Sequence, residues 1–558
     1  MRGRLSRERM EADLGALAPL VRLTGEPDFD RAARWIADQL AGWGIDCTLH
    51  SLPLYLSNPV SARVEVAAPG GPLQAAALPR SFSADCPQGR TAPVFYDTRA
   101  HARQGLLAEE EWYRGARGAI VLADNFYEDY VQKLIRYGAA GLIHAWTSDE
   151  EVLHNETVCP VWGTPQPDNC HTLPQNLPVA GVTKSDGIRL FAGLRPGLNP
   201  ERRATLYTRV EWKLGQAVFP VAEIPGDGDS FVLVGNHLDS WHQGVTDNGT
   251  GNVLALELAR VLAGMAPLKR GVKIAWWPGH SNGRYAGSTW YCDTHFEQLR
   301  QHCVGLMNID SPGSKNALEV GLSEAGGAYP ALAQVVRRHT GQQEVAFSKL
   351  SRGADLSFFG ADLPVHLHFD YCQAPPDKGR WDCAGCGGGW WWHSDQDLWD
   401  KADFDLLCRD GEIALDTVLV LAQSRALPLD ASFLLPLFEG AVEELSADCD
   451  PAFDLAPTRA ALVELRRALT AAPPLNDRQA KRVYGRLNLL LYTACDPYHF
   501  DNTFAVGRLP GLRICQGIRR EETPPEDFLF ALTAFRRQQN RLVAQLNDLI
   551  SYLEHLRR

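Results

Sequence analysis

Four short stretches each close an apolar run on side chains able to hold a cation. They read Gly-Asn-His237-Leu-Asp239-Ser-Trp, Thr-Asp247-Asn-Gly-Thr-Gly, Met-Asn-Ile-Asp310-Ser and Trp-Trp-His393-Ser-Asp-Gln-Asp397. Two imidazoles and two carboxylates on strand ends suit a divalent metal such as zinc or its neighbours, because strand ends hold donors rigidly above a sheet. Asp239 lies two residues past His237 on extended chain and points to the same side, where its carboxylate can fix the far nitrogen of the ring. Asp247 opens a loop in which Asn248 and Gly249 turn the backbone sharply before a helix. A carboxylate so placed can bridge two cations about 3.5–4 Å apart. Asp397 can orient His393 in the way Asp239 serves His237. Taken singly, each of these is an ordinary turn or strand-end residue; it is their order and shared placement that points to metal chemistry.

The surrounding elements have to bring those ends to one side of one sheet. Phe231-Val-Leu-Val-Gly is a continuous apolar run, as in a strand buried on both faces, and Val272–Trp277 and Gly305–Ile309 repeat the pattern. Gly249–Ala263 carries Val253, Leu256, Ala259 and Leu262 on one helical face. This alternation predicts an α/β fold, a mostly parallel sheet with helices on both faces and ligands at the carboxyl ends of its strands. Upstream, Asp28–Trp43 predicts an amphipathic helix stopped at Gly44, and Cys47–Leu56 a following strand. Residues 69–215 change character, with short strands at Ala119–Ala123, Ala139–His144 and Pro178–Val182 and one helix over Tyr127–Tyr137. No catalytic-looking cluster stands out there, and His144, His154 and His171 read as packing or surface histidines. Beyond Leu427 the pattern is helical over Pro457–Ala471, Asp477–Thr493 and Pro525–Arg558. The long last helix is expected to pack on other helices or on a partner subunit.

The expected divisions are 1–68 and 216–425 for the catalytic unit, 69–215 for an inserted β-rich unit and 426–558 for a helical, dimerisation-like end. At 558 residues the chain is too long for one core. Its net charge, 55 − 67 = −12, argues against a nucleic-acid partner. No apolar run reaches the roughly eighteen residues needed to span a membrane. Met-Arg-Gly-Arg-Leu-Ser has no apolar core after its arginines, so the expectation is a cytoplasmic protein. Thirteen scattered cysteines, an odd number, read as reduced thiols, and the lone Cys383-Ala-Gly-Cys386 pair reads as loop.

Gly-Asn-His-x-Asp-Ser-Trp, the Asp-Asn-Gly-x-Gly loop ten residues on, Asn-x-Asp-Ser and His-Ser-x-x-Asp together resemble the co-catalytic zinc aminopeptidase family, which includes glutamate carboxypeptidase II and the transferrin receptor. The resemblance extends to Thr24–Gly44, to residues 70–215 as an inserted protease-associated domain, and to the helical end as a dimerisation domain, which implies a homodimer. By position it implies one metal on His237, Asp247 and Asp310, and a second on Asp247, His393 and a glutamate. That glutamate is where this chain departs from the family. After Trp277 it reads Pro-Gly-His280-Ser-Asn-Gly-Arg284, with no acid before Cys292. His280 is the local substitute for the usual glutamate base, or a further ligand.

Trp276, Trp277, Trp290, Trp381 and Trp390–Trp392 crowd the same strand ends, and at least one of Trp390–Trp392, with Trp392 nearest His393, should line a pocket for an apolar or aromatic group. Arg284, Arg352, His366 and His368 are the further substrate-binding candidates, the last three by the resemblance. The expected activity is hydrolysis of an amide or peptide-like bond in a small or peptide-like substrate, with Zn2+ as cofactor and Mn2+, Co2+ or Fe2+ as alternatives. The competing expectations are a single-metal lyase and an inactive binding homologue.

Overall fold

The computed structural model describes residues 4–98, 106–265, 267–350, 353–372, 389–500 and 506–558. Trp381, Cys383, Cys386 and Arg352, singled out above, lie outside the described residues. The α/β expectation holds. The apolar runs form fully buried strands at Phe231–His237, Gly271–Trp277 and Cys303–Asn308. Together with His366–Cys372 they make a parallel block, in the order Gly271–Trp277, Phe231–His237, Cys303–Asn308, His366–Cys372. Antiparallel neighbours close it on either side, Gly197–Ile224 at one edge and Glu319–Glu324 at the other. The sheet is therefore mixed, with its parallel part in the middle, where buried strands and covering helices favour it. The helix Thr250–Gly264 packs there with nearly every residue buried.

The upstream helix runs Pro27–Gly42. Proline opens its first turn, Phe29, Ala32, Ile36 and Leu40 are buried, and Gly44 follows at φ 69°, a left-handed stop that glycine adopts without strain. The next strand, Asp46–Val66, is twice as long as the sequence pattern suggested. It pairs antiparallel with Gly197–Ile224 along nearly its whole length, with a register shift between Pro59 and Ser61. These two strands carry the chain out of the main core and back: Leu56 and Ala217 belong to the main core, while Val64 and Leu206 belong to a separate one. The outlying unit contains helices Leu106–Arg114, Glu128–Arg136 and Lys184–Phe191 beside its short strands. It is thus α/β in character, with more helix than the sequence pattern indicated.

At the other end the helices share the main core. The last helix, Pro525–His555, lies along Ala456–Ala471 of the same chain. The buried Arg270 guanidinium donates to both carboxylate oxygens of Asp477 at 2.6 and 2.7 Å, a two-pronged tie between strand and helical end. Cys449 and Cys515 are joined in a disulfide with Cα atoms 5.6 Å apart, which corrects the reading of all cysteines as reduced thiols. Sequence spacing cannot reveal a pair brought together across 66 residues. Among the described residues no helix is long and apolar enough to cross a membrane.

One buried acid in this scaffold gives a stability signature. Glu324 ends its strand and accepts the amides of Gly326 and Tyr329, at 2.6 and 3.0 Å, under the start of helix Tyr329–Thr340. Burial pushes its carboxyl from 4.5 up to about 8. The folded state then binds more protons than the unfolded one between those values. Its contribution is fully present below pH 4.5 and is lost as pH rises through 8, at up to about 1.4 kcal/mol per unit. Denaturant unfolding of wild type and Glu324→Gln across pH 5–8 should show a shallower decline for the variant; parallel curves would show that another group governs this window.

Candidate metal centre

His237 sits on the last position of its strand, and its Nε2 lies 3.1 Å from Asp247 Oδ1 and 3.3 Å from Asp310 Oδ1. The other oxygen of Asp247 lies 3.2 Å from His393 Nε2. One carboxylate therefore stands between two imidazoles, and a second carboxylate faces the first ring. All four side chains are buried or nearly so, at 10% exposure or less. Residues 237, 247, 310 and 393, spread over 157 positions (393 − 237 + 1), meet at one point above the parallel block.

Hydrogen bonding decides what must lie between these atoms. His237 Nδ1 donates to the main-chain carbonyl of Asp239 at 2.9 Å, and His393 Nδ1 donates to the carbonyl of Asn155 at 3.1 Å. In each neutral ring the proton is thereby committed, and the Nε2 lone pair confronts carboxylate oxygens. Lone pair against lone pair is repulsive, so a proton or a cation has to occupy each gap. The same demand appears in the ionisation. Burial opposes charge on His393, but Asp247 and Glu156 outweigh it and lift the ring to about 9. Burial likewise opposes charge on Asp310, yet the imidazole of His237 brings it down to about 2. Asp247, buried and hydrogen-bonded to both rings, is held far below the carboxylate range. Nitrogen and oxygen donors in this proportion fit zinc or another first-row divalent cation.

His280 completes the group. Its ring stacks on that of His237 with centroids 3.9 Å apart, and His237, His280 and Asp310 offer ligand atoms within 4.8 Å of one another. Its Nδ1 is engaged by Asp355 Oδ2 at 2.7 Å, which leaves Nε2 free, and Asp355 is itself fixed by the Ser288 hydroxyl at 2.7 Å. Three potential ligands thus share the first position, His237, Asp310 and His280, with Asp247 Oδ1 3.1 Å from His237 Nε2. On the second, between Asp247 and His393, no group of three potential ligands forms among the described residues; Glu156 lies 3.5 Å from Nδ1, the opposite edge of the ring.

The supporting residues depart from the simplest reading of the motifs. It is the main-chain carbonyl of Asp239 that orients His237; the Asp239 carboxylate, 3.8 Å from Nδ1, accepts the amides of His280 and Ser281 at 3.2 and 2.9 Å. Asp397 does not reach His393. It accepts the amides of Thr246 and Asp247 and the Thr246 hydroxyl, so it shapes the loop that presents Asp247. Asn248 joins two strand ends, donating to His237 O at 3.4 Å and Ile309 O at 3.0 Å and accepting from Ser311 N at 3.0 Å. Arg22, fully buried, donates to the carbonyls of Leu238, Gln243 and Gly244 and holds the loop between His237 and Asp247.

A cavity opens over the cluster. Trp392 lines it, its ring stacked on His393 at 3.5 Å between centroids, as do His368, Arg284 and Trp241. Trp391 is buried instead, donating to the Thr246 hydroxyl. His366, two residues before His368, is buried against Phe359 and does not line the cavity. Arg284 forms a buried ion pair with Glu128. The outlying unit supplies a whole wall, including Phe126, Tyr127, Glu128, Trp146 and Glu156. Its loop also clamps the His393 segment: His154 Nδ1 donates to Trp392 O at 2.6 Å and Asn155 N to His393 O at 2.8 Å. Sequence reading missed Arg22, Glu128, Glu156 and His154 as parts of the site, because nothing in their local pattern marks a contact made across the fold. Asp355 did stand next to a segment singled out for substrate contact.

Asp397→Asn should weaken binding of zinc, cobalt or manganese by about ten- to a hundred-fold while leaving the fold intact. Competition against a chromophoric chelator, with circular dichroism as control, reads this; unchanged affinity would show that the loop presents Asp247 without it.

The profile of peptidase family M28 matches residues 221–418, the stretch holding His237, Asp247, Asp310 and His393. An aminopeptidase of Pseudomonas aeruginosa is 29% identical over 196 residues, 34% of this chain and 33% of that protein, so the chain spans about a third of the length of that relative. The aminopeptidase from Aneurinibacillus sp. strain AM-1 superposes with a TM-score of 0.58 at 20% identity, over 76% of this chain and 96% of that one. BSAP, a zinc aminopeptidase from Bacillus subtilis, gives 0.52 at 18% identity, over 77% and 99%. At such identities the structural likeness is one of fold.

Proposed function

Residues 221–418 make this chain a member of peptidase family M28, and on that footing we propose that it is a metal-dependent hydrolase of an amide or peptide-like bond. The observation that carries this reading is the Asp247 carboxylate set between the imidazoles of His237 and His393, with Asp310 facing the first ring. Zinc is the proposed cofactor, supported by the donor set and by a zinc aminopeptidase of the same fold. His237, Asp247 and Asp310 would hold one ion; Asp247 and His393 would hold a second. A divalent cation supplies Lewis acidity there, making water nucleophilic near neutral pH and polarising a carbonyl.

The chain's own residues do the rest. His280 stands beside His237 and Asp310 at the floor of the cavity. Its Nδ1–H is committed to Asp355, so the free Nε2 can accept the proton that the attacking water gives up. The Asp355 carboxylate then steadies the imidazolium, and Ser288 keeps Asp355 in place. The same nitrogen can return the proton to the departing amine. Trp392, stacked on His393, forms a flat apolar wall for the substrate and limits water at the reacting bond.

A second reading, that His280 is a ligand and only one ion is held, is favoured by its clustering with His237 and Asp310. The two readings separate cleanly. If His280 moves the proton, His280→Gln should lower kcat by about 10²–10⁴ with bound metal unchanged. If it is a ligand, metal content and affinity should fall together. Elemental analysis of both proteins, with turnover of a panel of aminoacyl and acyl-amino-acid amides, decides this. Metal-loaded wild type that cleaves no amide would overturn the hydrolase reading. Asp247→Ala should remove metal binding and activity together.

A further inference from the structure

Charge bookkeeping around the cavity leaves one acid over. Glu128 is paired with Arg284, and Glu156 faces His393. Asp247 and Asp310 belong to the metal cluster. Asp370 also lines the cavity, and its carboxylate accepts from the Ser323 hydroxyl at 3.1 and 2.8 Å. Among the described residues no lysine, arginine or histidine lies within ion-pair distance of it; His368, its neighbour on the same face of the strand, is turned to Asn308 at 3.3 Å.

Its placement gives this acid a view of the reacting bond. His366–Cys372 runs parallel to Cys303–Asn308, with His368 level with Asn308. Two residues further on the same face stands Asp370, one strand over from the segment that leads from Asn308 to Asp310, and both acids line the cavity. On the other side the antiparallel strand brings Ser323 opposite His368 and so within reach of Asp370. The acid is thus built into a strand paired on both sides and is hydrogen-bonded by a buried serine, and it faces a cavity walled by Trp392, Trp241 and Tyr285. A carboxylate in such apolar surroundings gains most from a cation brought to it, and aromatic faces attract the same kind of group.

We propose that Asp370, seated on Ser323, is a specificity-determining residue that binds an organic cation of the substrate, an ammonium or guanidinium group, while the amide lies at the metal cluster. This rests on the hydrolase reading and names its substrate class: amides of amino acids carrying a positive charge within one side chain of the scissile bond. The Arg284 guanidinium, matched by Glu128, is not available to hold a substrate carboxylate in this arrangement.

The experiment uses the metal-loaded protein, wild type and Asp370→Asn, the asparagine oxygen still being able to accept from Ser323. Binding of lysinamide, norleucinamide, N-acetyl-lysinamide and N-acetyl-norleucinamide is measured by calorimetry, and turnover of the matching anilides is followed. Wild type should favour the charged member of a pair by about ten- to a hundred-fold, and the variant should lose that preference. Loss confined to the N-acetyl-lysinamide and N-acetyl-norleucinamide pair assigns the site to a side-chain cation. Loss confined to norleucinamide against its N-acetyl form assigns it to the α-ammonium. A variant that retains the wild-type ratio in both pairs, or a wild type with no preference, overturns the proposal. Wild type that binds the cations but cleaves none of the anilides sinks the hydrolase reading and leaves the cation site standing.

Discussion

Everything near the centre of this molecule is arranged so that one carboxylate, Asp247, can face two imidazoles at once. In the absence of positive charge that arrangement is unfavourable: anionic oxygens and nitrogen lone pairs are pressed together in a buried site. It persists because each participant is held from behind. His237 is held by the Asp239 carbonyl, His393 by the Asn155 carbonyl, and the Asp247 loop by Asp397 and by the carbonyl contacts of Arg22. A cation removes the repulsion and is the natural partner of a cluster so constrained.

That constraint explains the architecture around it. The parallel block supplies His237 from one strand and leads into Asp310 from its neighbour, so their separation follows from strand spacing. His393 comes from a loop instead, and a loop needs outside support to be rigid. The outlying α/β unit provides it through His154 and Asn155, on the far side of two long paired strands. The unit therefore both walls the cavity and steadies a ligand, and removing it would disturb the metal centre as well as substrate binding.

His280 brings an imidazole to the cluster with its orientation set from behind. The cluster gains no negative charge from it. It gains a nitrogen whose orientation is set by Asp355 and Ser288. The pair of Asp355 and His280 adds a carboxylate to the local chain of hydrogen bonds, one residue removed from the cluster. Asp370, hydrogen-bonded by Ser323, lines the same cavity.

How much of this was legible beforehand depends on distance in the chain. His237, Asp247, Asp310 and His393 could be picked out because each follows an apolar run, and runs of that kind become buried strands or lead into the loops above them. The α/β class, the helix beginning at Pro27 and the strands around the cluster followed from periodicity alone. Local pattern could not say which atom serves which: Asp397 looked like a partner for His393 and instead shapes the Asp247 loop, and the Asp239 carbonyl does what its carboxylate was expected to do. Glu156, Glu128 and Arg22 carry no local mark, since their partners lie far away in the chain and meet them only when the sheet and the outlying unit close together. Sequence thus determined the donor types and the strands that carry them, because short-range hydrophobic patterning dictates both. Only the tertiary structure decided orientation, charge pairing and the shape of the cavity, because these depend on which distant surfaces are brought to within a hydrogen bond of each other.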